Sequence, residues 1–252
     1  MIATMKTLFL FATVLALGGC STTKTTPPTA CTTAILMPRD AQTKQYKDLD
    51  RGVEAWTQCI NDPRAEALKA YSLKMRAATY IDQKQPSKAI PDYEQALVLM
   101  PAKTAWDVIS LASAYRQAGQ SEKALVLIQN MQADHLGMTG KGTAPGMPIY
   151  YHLGWTLSVL KRWPEAAEAF SEGLNYQPSY GWAVLRRGLA YEHQGNLTKA
   201  KSDTERAREL LQNAYKGGSK SEQRMFLESF EEPDFTAFLK RQGYDSTTAF
   251  LN

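Results

Sequence analysis

The sequence predicts an all-α protein built as a row of helix hairpins. One observation is a repeated spacing of small and large residues. Ala77, Tyr80, Ala89, Tyr93, Ala96 and Pro101 lie 3, 9, 4, 3 and 5 residues apart, and Gly154, Leu157, Ala166, Phe170, Gly173 and Pro178 repeat those intervals. Ala112, Tyr115, Ala124, Ile128 and Met131 match the first five positions, as do Gly188, Tyr191, Ala200, Thr204 and Ala207. The other observation is punctuation. Gly119 and Gly195 suit the ends of first helices, Ser121, Pro164 and Asn196 suit the starts of second helices, and Pro101 and Pro178 stop what precedes them.

The elements follow in chain order. Lys6 precedes the uncharged apolar run Leu8–Leu17, and Leu17-Gly18-Gly19-Cys20 closes it. A cationic start, a short apolar core and small residues before a break make a secretory signal peptide over 1–19. The run is too short to span a bilayer, which takes about 20 residues. The cysteine at the break resembles that of a bacterial lipobox. The resemblance implies cleavage before Cys20 and acyl chains on it, and Ser21 behind it favours the outer membrane under enteric-type sorting rules. Residues 20–39 read as a lipidated tether, since its opening stretch STTKTTPPT has no apolar partners to bury. Cys31 and Cys59 remain. They form either a disulfide or two buried thiols, and an oxidising compartment favours the disulfide.

Residues 40–66 read as a half-repeat: Gly52, Trp56 and Cys59 follow the second-helix spacing and Pro63 ends it. The array occupies 67–216, with copies near 70–103, 105–138, 147–180 and 181–214. Small residues let the two helices of a hairpin approach, larger ones fill the space beside them, and neighbours stack because one hairpin cannot bury its own apolar face. Pro91 falls early in a second helix, where it threatens the first turn. Thr204 stands where an aromatic is expected, which should loosen the last core. Between the second and third copies, His135 to Pro148 carries Gly137, Gly140, Gly142, Gly146 and Pro145, the composition of a surface loop. Gly217-Gly218 breaks the last long helix, and Ser219–Glu222 resembles a capping box. Residues 217–252 then read as capping helices near 220–230 and 233–242, with Phe226, Phe230, Phe235, Phe238, Leu239 and Tyr244 sealing the open end.

This pattern resembles the tetratricopeptide repeat, a helix–turn–helix unit of about 34 residues. The resemblance implies a right-handed α-solenoid whose first helices line a concave groove. Mapped onto this chain, the family's groove positions include Tyr71, Lys74, Trp106, Ile109, Arg116, Tyr151, Trp155, Trp182, Leu185 and Leu189. The wider set holds three of the five tryptophans, side chains favoured where a partner is bound. The Lys and Asn placement of carboxylate-clamp arrays is missing, so an extended or helical peptide segment is the expected ligand.

No chemistry is legible. His135, His152 and His193 lack metal-ligand spacing, and neither a phosphate loop nor a nucleophile elbow occurs. Glu165, Glu168 and Glu172 make a solvated helix stripe. A formal net charge of +4 is too small to argue for nucleic acid. The expectation is a non-catalytic adaptor without cofactor or metal. It is held by its lipid at the outer membrane, faces the periplasm, and binds an envelope protein for assembly of pilus, secretion, outer-membrane protein or cell-wall machinery. The alternatives are an accessory subunit of an envelope enzyme and a self-associating structural lipoprotein.

Overall fold

The computed structural model describes residues 29–40, 45–101, 105–133, 147–215 and 233–245. Cys20 and the signal segment, the glycine-rich stretch up to Gly146, and the capping-box helix near 220–230 lie outside the described residues.

Eleven α-helices and one 3₁₀ turn are described. α1 spans Thr29–Leu36 and α2 Leu49–Asn61, and a 3₁₀ turn follows at Pro63–Leu68. Four hairpins come next: α3 (Lys69–Asp82) with α4 (Pro86–Leu99), α5 (Ala105–Gln117) with α6 (Ser121–Ala133), α7 (Met147–Val159) with α8 (Trp163–Tyr176), and α9 (Gly181–His193) with α10 (Leu197–Tyr215). α11 is Pro233–Arg241. Each second helix also packs on the first helix of the next hairpin, and α7 touches both α5 and α9. The first helices thus form one layer and the second helices the other. The fold is an α-solenoid of tetratricopeptide hairpins. Among the described residues the nearest thing to a strand is an isolated bridge between Arg39 and Tyr46.

The register expected from the small residues is the register of the core. Ala77, Ala112, Ala89, Ala124, Ala166 and Ala200 are all fully buried where the two helices of a hairpin touch. Gly154 shows how tight that contact is, because a Cβ there would fall 2.7 Å from the Phe170 ring. Asn196 caps α10 by accepting from the Lys199 N–H at 3.1 Å. Two residues past the end of each first helix stands a residue of positive φ: Lys84, Gly119, Lys161 and Gly195. Two of these are lysines, so glycine marked only half of the turns in the sequence. Pro91 leaves α4 unbroken from Pro86 to Leu99.

Three expectations need correcting. The tether does not reach residue 39. Helix α1 starts at Thr29, because Cys31 and Ala34 are fully buried against α2 and the Cys31–Cys59 disulfide joins the two helices across a Cα separation of 4.7 Å. Behind that bridge, the Trp56 indole N–H donates to the Tyr46 hydroxyl at 2.9 Å, which donates to the Ala34 carbonyl at 2.9 Å. Nor does the inserted loop reach residue 148. Met147 opens α7 and sits with its Sδ against Gly173. Finally, Thr204 does not loosen the fourth hairpin. It is buried and returns its hydroxyl to the Ala200 carbonyl at 2.8 Å, and α11 supplies the missing ring. Phe238 lies 3.5 Å from where a Cβ on Gly188 would stand, much as Phe170 faces Gly154.

Candidate functional site: the first-helix face

Lys74, on α3, donates to Asp107 on α5 at 2.6 Å, which ties the first two hairpins together across the first-helix layer. Beside Asp107, Trp106 is 63% exposed. Tyr71 is half-buried and meets Trp56 edge-on at 5.7 Å. In this N-terminal half of the face Trp106 is the side chain presented to water.

The central part is a packed cationic–aromatic cluster. Arg116 on α5 reaches α7, donating to the Thr156 hydroxyl at 3.2 Å and to His152 Nδ1 at 3.0 Å. Because a guanidinium only donates, Nδ1 must accept, which places the ring proton on Nε2. His152 is held neutral, its pKa pushed well below the ordinary value by burial first and by Arg116 and Arg186 next. Arg186 on α9 donates to the Tyr151 hydroxyl at 3.0 Å. Both guanidinium groups lie over the Trp155 ring, Arg116 at 4.5 Å and Arg186 at 4.1 Å. Such contacts strengthen when water is excluded, and Arg186 is 1% exposed.

Several of the expected groove residues are not open to solvent. Ile109, Arg116, Tyr151, Trp182, Leu185 and Leu189 are buried. Trp182, Leu185 and Leu189 share one core cluster with Phe235, Phe238 and Leu239 of α11. Groove and packing positions sit one helical turn apart, so the side chains that line the face in one hairpin become core in another. Of the expected set Trp106 alone is exposed, and Tyr71, Lys74 and Trp155 are half-buried.

Sequence reasoning missed the ionic clamps. Arg76 grips Asp92 through two bonds of 2.7 Å and also donates to the Thr57 hydroxyl at 3.0 Å. In the fourth hairpin Arg187 grips Asp203 at 2.7 and 2.9 Å and donates to Ser171 at 3.1 Å. The same three-helix device occurs twice with the same spacing of 16 between arginine and aspartate. That recurring pair was the available signal. Among the described residues no group of three or more His, Cys, Asp or Glu is placed to hold a metal, and no helix is long and apolar enough to cross a membrane.

No family model matches the chain, and no curated protein matches it by sequence. Solved structures do. A crystal structure of MamA superposes with a TM-score of 0.55 at 24% identity, over 67% of this chain and 92% of that one. MamA from Desulfovibrio magneticus RS-1 also gives 0.55, at 13% identity, over 69% of this chain and 89% of that one. A looser likeness, TM-score 0.49 at 18% identity over 64% and 77%, is to YrrB, a TPR protein with an unusual peptide-binding site. What the two MamA structures share with the chain is the fold, an α-solenoid of helix hairpins.

Proposed function

We propose that the protein is a non-catalytic adaptor whose first-helix face holds a polypeptide segment, and that acyl chains on Cys20 hold it at the outer membrane, facing the periplasm. The observation that carries the groove reading is Trp106, 63% exposed within the layer that lines the inside of such solenoids. A large aromatic left in water on a lining layer is favoured where a partner will cover it. The Lys74–Asp107 bridge fixes the two helices that present it. Support for the anchor is the sequence alone: the apolar run, the small residues and Cys20 in register. The disulfide agrees with an oxidising compartment. The partner belongs to envelope assembly, and pilus, secretion, outer-membrane protein and cell-wall machineries are the candidates.

Two variants test the two halves separately. Cys20→Ala should move the protein from the membrane fraction to the soluble one, and continued sedimentation with membranes would remove the anchor. Trp106→Ala should weaken partner capture by about 2 kcal/mol, roughly thirtyfold, with helicity by circular dichroism unchanged. Undiminished capture would remove the groove.

A further inference from the structure

One edge of the solenoid gathers the starts of first helices and the ends of second helices, and the N-terminal stretch of the chain enters the fold there. α1 packs on α2, and the Cys31–Cys59 bond ties its first turn to the last turn of α2, so the two helices run antiparallel. The turn at Pro63–Leu68 continues this edge to the start of α3, and the chain leaves α4 on it at Met100 and Pro101. Thr29, which opens α1, stands nine residues after Cys20.

On this edge α4 ends unlike the other second helices. Val98, Leu99 and Met100 follow one another and are 81%, 45% and 39% exposed. In the register set by Cys59, Ala96, Gly173 and Ala207, the place of Val98 is held elsewhere by Asn61, Asn175 and Glu209, all exposed. Met100 closes α4 with a φ of −139° and an N–H bond to the Ala96 carbonyl. Gln177 closes α8 with the same φ and the matching bond to Gly173. The same ending is thus made with an amide side chain, and nothing in the cap asks for an apolar one. Single exposed apolar residues are ordinary, whereas a contiguous exposed group marks a surface that something covers.

Reach and charge narrow what covers it. Nine residues extend to at most about 30 Å. α3 lies between α2 and α4, so two helix spacings, about 20 Å in all, separate the entry point from the end of α4. With Cys20 at a bilayer, that end lies within reach of the same surface, and the short tether holds it there at high effective concentration. A patch too small to bind alone can then rest on the lipid. Two cations of this edge are already paired, Arg64 with Asp62 at 2.7 Å and Lys69 with Glu66 at 3.4 Å, so the contact is apolar and needs no anionic lipid. Trp106 belongs to the first-helix layer and stays with the groove.

We propose that Val98, Leu99 and Met100 sit in the headgroup region of the phospholipid surface that carries the acyl chains, so that the solenoid stands on this edge. This rests on the Cys20 anchor of the proposed function. Apolar side chains at that depth hold through the area they bury.

The test uses the lipidated full-length protein in phosphatidylcholine vesicles that contain a doxyl-labelled lipid. Bimane is attached at Leu99→Cys or at Leu197→Cys, the latter being 64% exposed at the start of α10 on the opposite edge. The label at 99 should lose most of its emission to the doxyl lipid and shift to the blue, while the label at 197 keeps its emission. Val98→Asn with Met100→Gln copies the end of α8, so the fold is kept, and the pair should restore the emission at 99. A protein that floats with the vesicles while the label at 99 stays unquenched would overturn the membrane contact and leave the anchor standing. A blue shift without quenching, the mark of a second copy or another protein over the patch, would overturn it as well. Failure to float would overturn the anchor, and this contact with it.

Discussion

The outer hairpins and the inner hairpins solve the same packing problem with different chemistry. In the first and fourth, an arginine of the first helix and an aspartate of the second meet in a bidentate pair, steadied by a hydroxyl from the preceding second helix. In the second and third, the corresponding residues are Leu111 with Leu127 and Leu153 with Ala169, all packed into apolar clusters. The backbone geometry tolerates either. Both clamped hairpins use a hydroxyl that also binds its own helix, Thr57 to Val53 and Ser171 to Ala167. The lesson is that the repeat fixes how closely helices approach, while the group filling that contact is free to change from ionic to apolar.

The largest expected effect comes from breaking a clamp on one side. Asp92 and Asp203 have side chains only 7% and 9% exposed. Asp203→Ala leaves the Arg187 guanidinium without its main partner, and a loss of about 3–5 kcal/mol in urea unfolding is expected. Arg187→Leu with Asp203→Leu copies the second hairpin and should stay within about 1 kcal/mol of the parent. Equal losses in the single and double variants would break the comparison.

A smaller effect should separate the two glycine contacts. Gly154→Ala drives a methyl to 2.7 Å from the Phe170 ring, whereas on Gly188 the nearest atom is the Ala200 carbonyl oxygen at 3.2 Å. We expect Gly154→Ala to cost about 1–3 kcal/mol and Gly188→Ala less, with Phe170→Leu relieving the first variant. Identical midpoints for the two glycine variants would show that the ring yields freely.

The third effect is the pH dependence lodged in the central cluster. His152 is neutral in the fold, with its pKa depressed by burial and the two arginines. The unfolded chain takes up that proton near pH 6.5, the folded chain only well below it. Stability attributable to this residue is therefore intact above about pH 6.5. It declines as the pH falls beneath that value, with a limiting slope of about 1.4 kcal/mol per pH unit. His152→Gln should flatten the urea-midpoint profile between pH 7 and 5, and an unaltered slope would contradict the buried neutral ring.

The sequence disclosed the parts of the fold that repeat. Ala89, Ala124, Ala166 and Ala200 announce the helix contacts because only small residues fit there. What does not repeat four times was harder to see. Arg76 and Asp92 look like solvated charges until two helices bring them together. Lys84 and Lys161 hide turns that Gly119 and Gly195 reveal. The exposure of groove residues was the least legible, since Trp106 and Trp182 hold the same place in their repeats, yet one is 63% exposed and the other 3%. The difference lies in what packs over each helix, and for Trp182 the core it joins includes rings from α11.

The first-helix face is proposed to grip another polypeptide. The most direct measurement is photocrosslinking in intact cells from position 106, on that face, and from position 126, 54% exposed on α6 in the other layer. Adducts to an envelope polypeptide from position 106 and none from position 126 are predicted. Equal adducts from both positions, or none from 106 in a folded, membrane-bound protein, would contradict it.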